Sequence, residues 1–156
     1  MTHAELVARA GAWLRSRCSI VLCELKTNLP EIPDAIGWMG DGWSVLVECK
    51  ASRSDFVRDS FKTPARMGQE RWYLTPDGLI WPQDVGQWGL LGVRGARITR
   101  TRTPANSRLF GGSGTLDHSI AAREIPLLIS ALRRIQRNED SAAVVLDQLR
   151  AVSEVA

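Results

Sequence analysis

Apolar positions recur at helical spacing near the start of the chain. Leu6, Ala10, Trp13 and Leu14 share one face between Ala4 and Arg17, and no proline intervenes, which predicts an amphipathic opening helix. The period then shortens. Ser19 to Leu25 is a brief apolar run of branched residues that suits a strand and puts Glu24 near its end. A polar, proline-containing connection over Lys26 to Glu31 leads to a second strand, Ile32 to Met39, carrying Asp34. Gly40-Asp41-Gly42 predicts a tight turn and Trp43 to Cys49 a third strand, so the two strands form a hairpin that draws Asp34 towards Glu48. Within the third strand Val45, Val47 and Cys49 alternate with Leu46, Glu48 and Lys50, which sends an apolar row to one face and both charges to the other.

Beyond this strand Ser52 and Ser54 are good helix caps, and Asp55 stands three residues after Ser52, so a helix starts here and is interrupted at Thr63-Pro64. A short helical turn through Met67 gives way at Gly68. Arg71 to Thr75 is an aromatic-marked strand closed by a Pro76-Asp77-Gly78 turn. Leu79 to Trp81, Gly89 to Val93 and Ala96 to Thr101 read as further strands, the last two joined in a hairpin through Arg94-Gly95. Pro104 to Thr115, rich in Gly, Ser and Asn, is expected to be a mobile loop or linker. Asp117 caps a helix from about His118 to Arg137, with Ile120, Ile125, Leu128, Ile129, Leu132 and Ile135 as its apolar face and Pro126 bending or delaying it. A last helix from about Ser141 to Val152 carries Val144, Val145, Leu146 and Leu149. The division expected is a core over 1–103, a flexible loop over 104–116, and a helical segment over 117–156 that packs on the core or on the partner subunit of a homodimer.

Composition narrows the class. A chain of 156 residues that is 44% hydrophobic supports one sizeable core. Cys18, Cys23 and Cys49 are odd in number and lie in or beside apolar segments, so they read as free thiols in a reducing compartment. No signal-peptide pattern or membrane-length apolar run is present, which predicts a cytoplasmic protein with no membrane partner. The net charge of +3 is local in origin: Arg94, Arg97, Arg100, Arg102 and Arg108 occupy a stretch without acids, leaving 15 basic against 17 acidic residues elsewhere. Such a basic ribbon either contacts a phosphate backbone or is a solvated hairpin.

Asp34 and Glu48 can supply two carboxylates to a hard divalent cation, with the Cys49 carbonyl as a third oxygen. Lys50 beside them can hold a nucleophilic water or offset charge on a phosphate, as phosphodiester hydrolysis requires. Glu24 is a third acidic candidate. The plainer reading makes Asp34, Glu48 and Lys50 a surface ion-pair cluster and Glu24 a solvent-facing acid. His3 and His118 offer no supported general base, and no glycine-rich phosphate loop with its lysine is present. Trp38 and Trp43 flank the hairpin turn, where they either stack on an unpaired base or pair across the hairpin.

The succession Cys23-Glu24-Leu25, Pro33-Asp34-Ala35, Glu48-Cys49-Lys50-Ala51-Ser52-Arg53-Ser54-Asp55-Phe56, Arg58-Asp59, Lys62, Arg71-Trp72-Tyr73-Leu74 and Gly89-Leu90-Leu91 resembles the PD-(D/E)XK nuclease superfamily, and within it the MmcB-type DNA repair proteins. The resemblance covers roughly Cys23 to Thr101. It departs where the group usually carries Arg before its first aspartate and this chain has Ile32-Pro33. What it implies is a restriction-endonuclease-like α/β fold, a mixed central β-sheet flanked by helices, with C-terminal helices added. It further implies a Mg²⁺- or Mn²⁺-dependent DNA nuclease of repair, recombination or phage-related DNA processing. Asp34, Glu48, the Cys49 carbonyl and Glu24 would hold the metal, and Lys50 would position the attacking water. Arg53 and Lys62, with Arg97, Arg100 and Arg102 of the ribbon, would contact DNA, and Gln69 would face the site. Asp55 and Asp59 are read instead as helix-face ion-pair partners. The alternative is a DNA-binding or assembly module that keeps the fold without turnover.

Overall fold

The computed structural model describes residues 1–59 and 67–153. The opening amphipathic stretch is helix α1, His3–Arg15, started by a reciprocal capping box between Thr2 and Glu5. Three strands follow, β1 (Ile20–Cys23), β2 (Ala35–Trp38) and β3 (Ser44–Cys49), then helix α2 (Arg53–Asp59) and strands β4 (Glu70–Pro76), β5 (Gly89–Arg94) and β6 (Arg97–Arg102). Helix α3 spans His118–Ser153.

All six strands join one sheet in chain order. β1, β2 and β3 form an antiparallel meander, β4 lies parallel to β3 and β5 parallel to β4, and β6 returns antiparallel at the edge. A parallel step needs a crossover, and α2 lies in the one between β3 and β4. The strand alternation sorts the core into two layers. Val45, Val47, Cys49, Trp72, Leu74, Leu91 and Val93 face α1, where Leu6, Ala10, Trp13 and Leu14 meet them. Ile36, Trp38 and Leu46 face the other way onto Leu127 of α3, while Phe56 of α2 packs with Tyr73, Ile80, Val85 and Leu90.

Two buried carboxylates lock the layers. Glu124 of α3, 1% exposed, accepts from Trp38 Nε1 at 2.9 Å, Ser44 Oγ at 2.7 Å and Gly68 N–H at 2.8 Å. Glu70, fully buried, accepts from Trp43 Nε1, Trp72 Nε1, Ser107 Oγ and the Arg108 N–H. Charge-assisted bonds of this kind satisfy a buried carboxylate that would otherwise be very costly.

Several expectations change. Leu79 to Trp81 is not a strand: Pro82 follows it, the chain turns into a short 3₁₀ segment at Pro82–Val85, and Ile80 caps the α2 layer instead. The two C-terminal helices are one, because the stretch between Arg137 and Ser141 contains no glycine or proline to break it; Pro126 lies inside. The segment over 104–116 is irregular, as expected, yet it is tied to the sheet. Its Ser107 and Arg108 bond Glu70, Asn106 donates to the Gln69 carbonyl, and Leu109, Phe110 and Leu116 pack against the α1-side core. Trp38 and Trp43 point to opposite faces and are both buried, each indole N–H held by a different glutamate, so they neither pair across the hairpin nor present a surface for a base. The helical turn over 60–66 and Lys62 lie outside the described residues, as do the side chains of Val144, Val145, Leu146 and Leu149.

Candidate metal and phosphate site

The β2–β3 ladder pairs Ala35 with Val47, so the next antiparallel step sets Asp34 opposite Glu48. The β1–β2 ladder also continues one step, through Glu24 N–H to the Asp34 carbonyl at 3.0 Å. Glu24, Asp34 and Glu48 therefore form a row across three strands at one end of the sheet. Lys50 follows directly, its side chain only 4% exposed and its Nζ 3.5 Å from Glu48 Oε2.

Asp34 is well engaged. Its Oδ2 accepts the Cys49 N–H at 2.7 Å, and its Oδ1 lies 3.3 Å from His3 Nε2. His3 also stands 3.6 Å from Glu24 Oε1, so the N-terminal turn of α1 links the first two acids of the row. Glu24 itself has φ of +45°, the left-handed region that a side chain rarely adopts. Its carboxylate is more than half exposed, unlike those of Asp34 and Glu48 at 17% and 18%.

The electrostatics follow from this burial. Loss of water raises the Asp34 carboxyl above its ordinary range, with the Cys49 N–H, His3 and Lys50 pulling the other way. Glu48 is pushed up to about 7, first by burial and then by the Asp34 charge, against the opposing pull of Lys50 and Arg71. Two carboxylates that are dehydrated and that repel each other are stabilised by a cation placed between them. The Cys49 thiol takes no part: it faces the α1 side and burial raises it far above its usual value, leaving only the backbone of Cys49 at the site.

The fit of a divalent ion is testable on these atoms. Among the described residues no three His, Cys, Asp or Glu side chains stand together as a metal-holding group. Two carboxylates with a backbone carbonyl nevertheless match the habit of Mg²⁺, which keeps several waters and takes one or two protein carboxylates.

The basic candidates are dispersed. Arg53 is exposed and pairs with Asp84 at 3.3 Å. Arg100 lies 4.0 Å over the Phe110 ring, Arg102 donates to the Pro82 carbonyl at 2.6 Å, and Arg97 is exposed on the edge strand. β6 is three strands from β3, or about 14 Å at ~4.8 Å per strand. Gln69 does not face the carboxylates: it is at the opposite end of β3, where both ends of its amide bond the Asp117 backbone.

Two side chains near the site were not singled out from sequence. His3 is remote in the chain and gives no motif. Arg71 had a signal, a charge inside an aromatic strand: it pairs with Glu31 at 2.6 Å and shares the face of Glu48, since Leu46 registers with Arg71 and Glu48 with Tyr73.

No family model matches the chain, and neither does any curated protein. Among solved structures it is similar to SPO1766, a protein of unknown function from Silicibacter pomeroyi, with a TM-score of 0.63 and 18% identity over 90% of this chain and 94% of that one. The two share an α/β fold. In this chain it is built on a six-stranded mixed sheet with helices on both faces, and no helix among the described residues is long and apolar enough to cross a membrane.

Proposed function

We propose that the chain is a Mg²⁺- or Mn²⁺-dependent nuclease of restriction-endonuclease-like fold that hydrolyses phosphodiester bonds of DNA in repair, recombination or phage-related DNA processing, in a reducing cytoplasmic compartment. The observation that carries this reading is the dehydrated Asp34–Glu48 pair with the nearly buried Lys50 at the same end of the sheet. The element order α1-β1-β2-β3-α2-β4, with β4 parallel to β3, is compatible with that fold.

In this account Asp34, Glu48 and the Cys49 carbonyl hold the cation. The bound cation supplies charge neutralisation at the scissile phosphate. The Cys49 N–H fixes the orientation of Asp34, and His3 braces its other oxygen. Lys50 brings a positive charge to the point where negative charge grows on the phosphate and orients the attacking water. Arg97 adds attraction for the backbone from the edge strand, with Arg102 on the same sheet face; Arg100, level with Leu91 and over Phe110, stands on the α1 side. Glu24, across His3 from Asp34, tunes the row rather than completing the ligand set.

A second reading, a DNA-binding or assembly module without turnover, draws on one observation: both oxygens of Asp34 already have protein partners. A panel of labelled linear, circular and branched DNA with Mg²⁺, Mn²⁺ or chelator separates the two. The nuclease reading expects metal-dependent cleavage that Glu48→Gln abolishes while DNA binding persists. Wild-type protein that binds these DNAs and cleaves none of them supports the module.

A further inference from the structure

Helix α3 is anchored along one side only. Glu124 and Leu127 are buried against the sheet, and Arg134 donates to the Lys26 carbonyl. At about 100° per residue these three groups share one arc of the helix, and a surface helix ordinarily turns polar residues to the rest of its circumference. α3 does not. Ile125, Ile129 and Leu132 lie outside that arc and are 53%, 42% and 63% exposed, and Ile135, 53% exposed, continues the row beyond them. Single exposed apolar residues need no account, but a contiguous row of four on one helix marks a surface made to be covered.

The row matches itself when read in reverse. About the point midway between Leu128 and Ile129, Ile125 corresponds to Leu132, Ala122 to Ile135 and His118 to Glu139. All eight residues lie within about 70° of one line along the helix. A two-fold contact requires this property, because each residue i meets j while j meets i. Two α3 helices laid antiparallel about that midpoint set Ile125 against Leu132, the small Ala122 against Ile135, and an exposed histidine against an exposed carboxylate at each end. A parallel pair would instead bring Glu139 against Glu139. Arg123, Arg133, Arg134 and Arg137 lie about 90° or more from the line, so the antiparallel pairing brings no arginine against another.

We infer that this face is the contact between two copies of the chain, paired antiparallel through α3. From His118 to Glu139 the pairing is about 32 Å long and draws on about ten residues of each copy, fewer than the roughly 20–30 a side of a standard interface. The dimer is therefore reversible, with a dissociation constant on the order of 10 μM. Nothing in this pairing depends on the nuclease reading.

Sedimentation velocity of the whole chain from about 1 μM to about 500 μM tests it, with wild-type protein expected to pass from monomer to dimer across that range. Leu132→Glu should weaken the association by about a hundredfold or more, since it places a charge against Ile125 of the partner subunit. Leu132 is exposed in the single chain, so the monomer's melting temperature should not change. His118→Glu sets a carboxylate against Glu139 of the partner subunit at both ends and should weaken association about tenfold. Adding Glu139→Lys to the same chain should restore it, whereas in a parallel pair the double variant would be weaker still. A wild type that stays monomeric throughout, as it would if a different protein covered this face, overturns the inference. So does a dimer that Leu132→Glu leaves intact, or a double variant that associates no better than His118→Glu alone.

Discussion

Replacing Glu48 with glutamine should make the protein more stable above neutral pH, although it removes a charge that sits 3.5 Å from Lys50. The Glu48 carboxyl is raised from 4.5 to about 7 in the folded chain by burial and by Asp34. Below pH 4.5 it is protonated in the folded and unfolded states alike, and its contribution to stability is fully present. As pH rises towards 7 the unfolded chain ionises first, so this contribution is lost across that window. At about 1.4 kcal/mol per pH unit, the interval from 4.5 to about 7 corresponds to a loss of about 3 kcal/mol, shared with the coupled Asp34. Glutamine keeps an oxygen for Lys50 and does not ionise. Urea unfolding from pH 4 to pH 8 in chelator should therefore show wild-type stability falling relative to Glu48→Gln by about 3 kcal/mol, or roughly 6–12 °C in thermal melts of a chain this long. Parallel pH profiles for the two proteins would mean that Glu48 is as hydrated in the folded state as in the unfolded one, and that burial does not raise its carboxyl.

Glu124→Ala leaves the Trp38, Ser44 and Gly68 donors without their shared acceptor, and should cost about 3–5 kcal/mol in urea unfolding; a loss below about 1 kcal/mol would mean that α3 is held mainly by Leu127. Arg97→Ala removes a ribbon charge without touching the packing that engages Arg100 and Arg102. It should lower the slope of log affinity for duplex DNA against log salt by about 1 while leaving the melting temperature unchanged, and an unaltered slope would exclude β6 from the DNA contact.

The strands that form the carboxylate row were legible because β3 alternates cleanly and because Gly40-Asp41-Gly42 turns the chain back on itself, which by itself brings Asp34 to Glu48. Helix α1 was equally plain from its apolar face and cap. What escaped depends on contacts distant in the chain. Glutamate is rarely fully buried, so nothing local marked Glu70 and Glu124 as the acceptors that bind a tryptophan-lined core to the 104–116 segment and to α3. Trp38 and Trp43 looked like a cross-hairpin pair because they flank a turn, yet their positions have opposite parity and send them to opposite faces. His3 reaches Asp34 only because α1 lies across the meander, a docking that no local pattern encodes. Leu79 to Trp81 has strand composition, but the proline after it and the packing of Ile80 with Phe56 of α2 decide its fate.

The most direct test of the central claim, that Asp34 and Glu48 together hold a divalent cation, is calorimetric titration of the whole chain with Mn²⁺ at pH 7.5. One binding event is expected in the wild type, accompanied by proton release from the raised carboxyl pair, with its loss in both Asp34→Asn and Glu48→Gln. A wild type that gives no binding heat, or variants that bind Mn²⁺ as the wild type does, would contradict it.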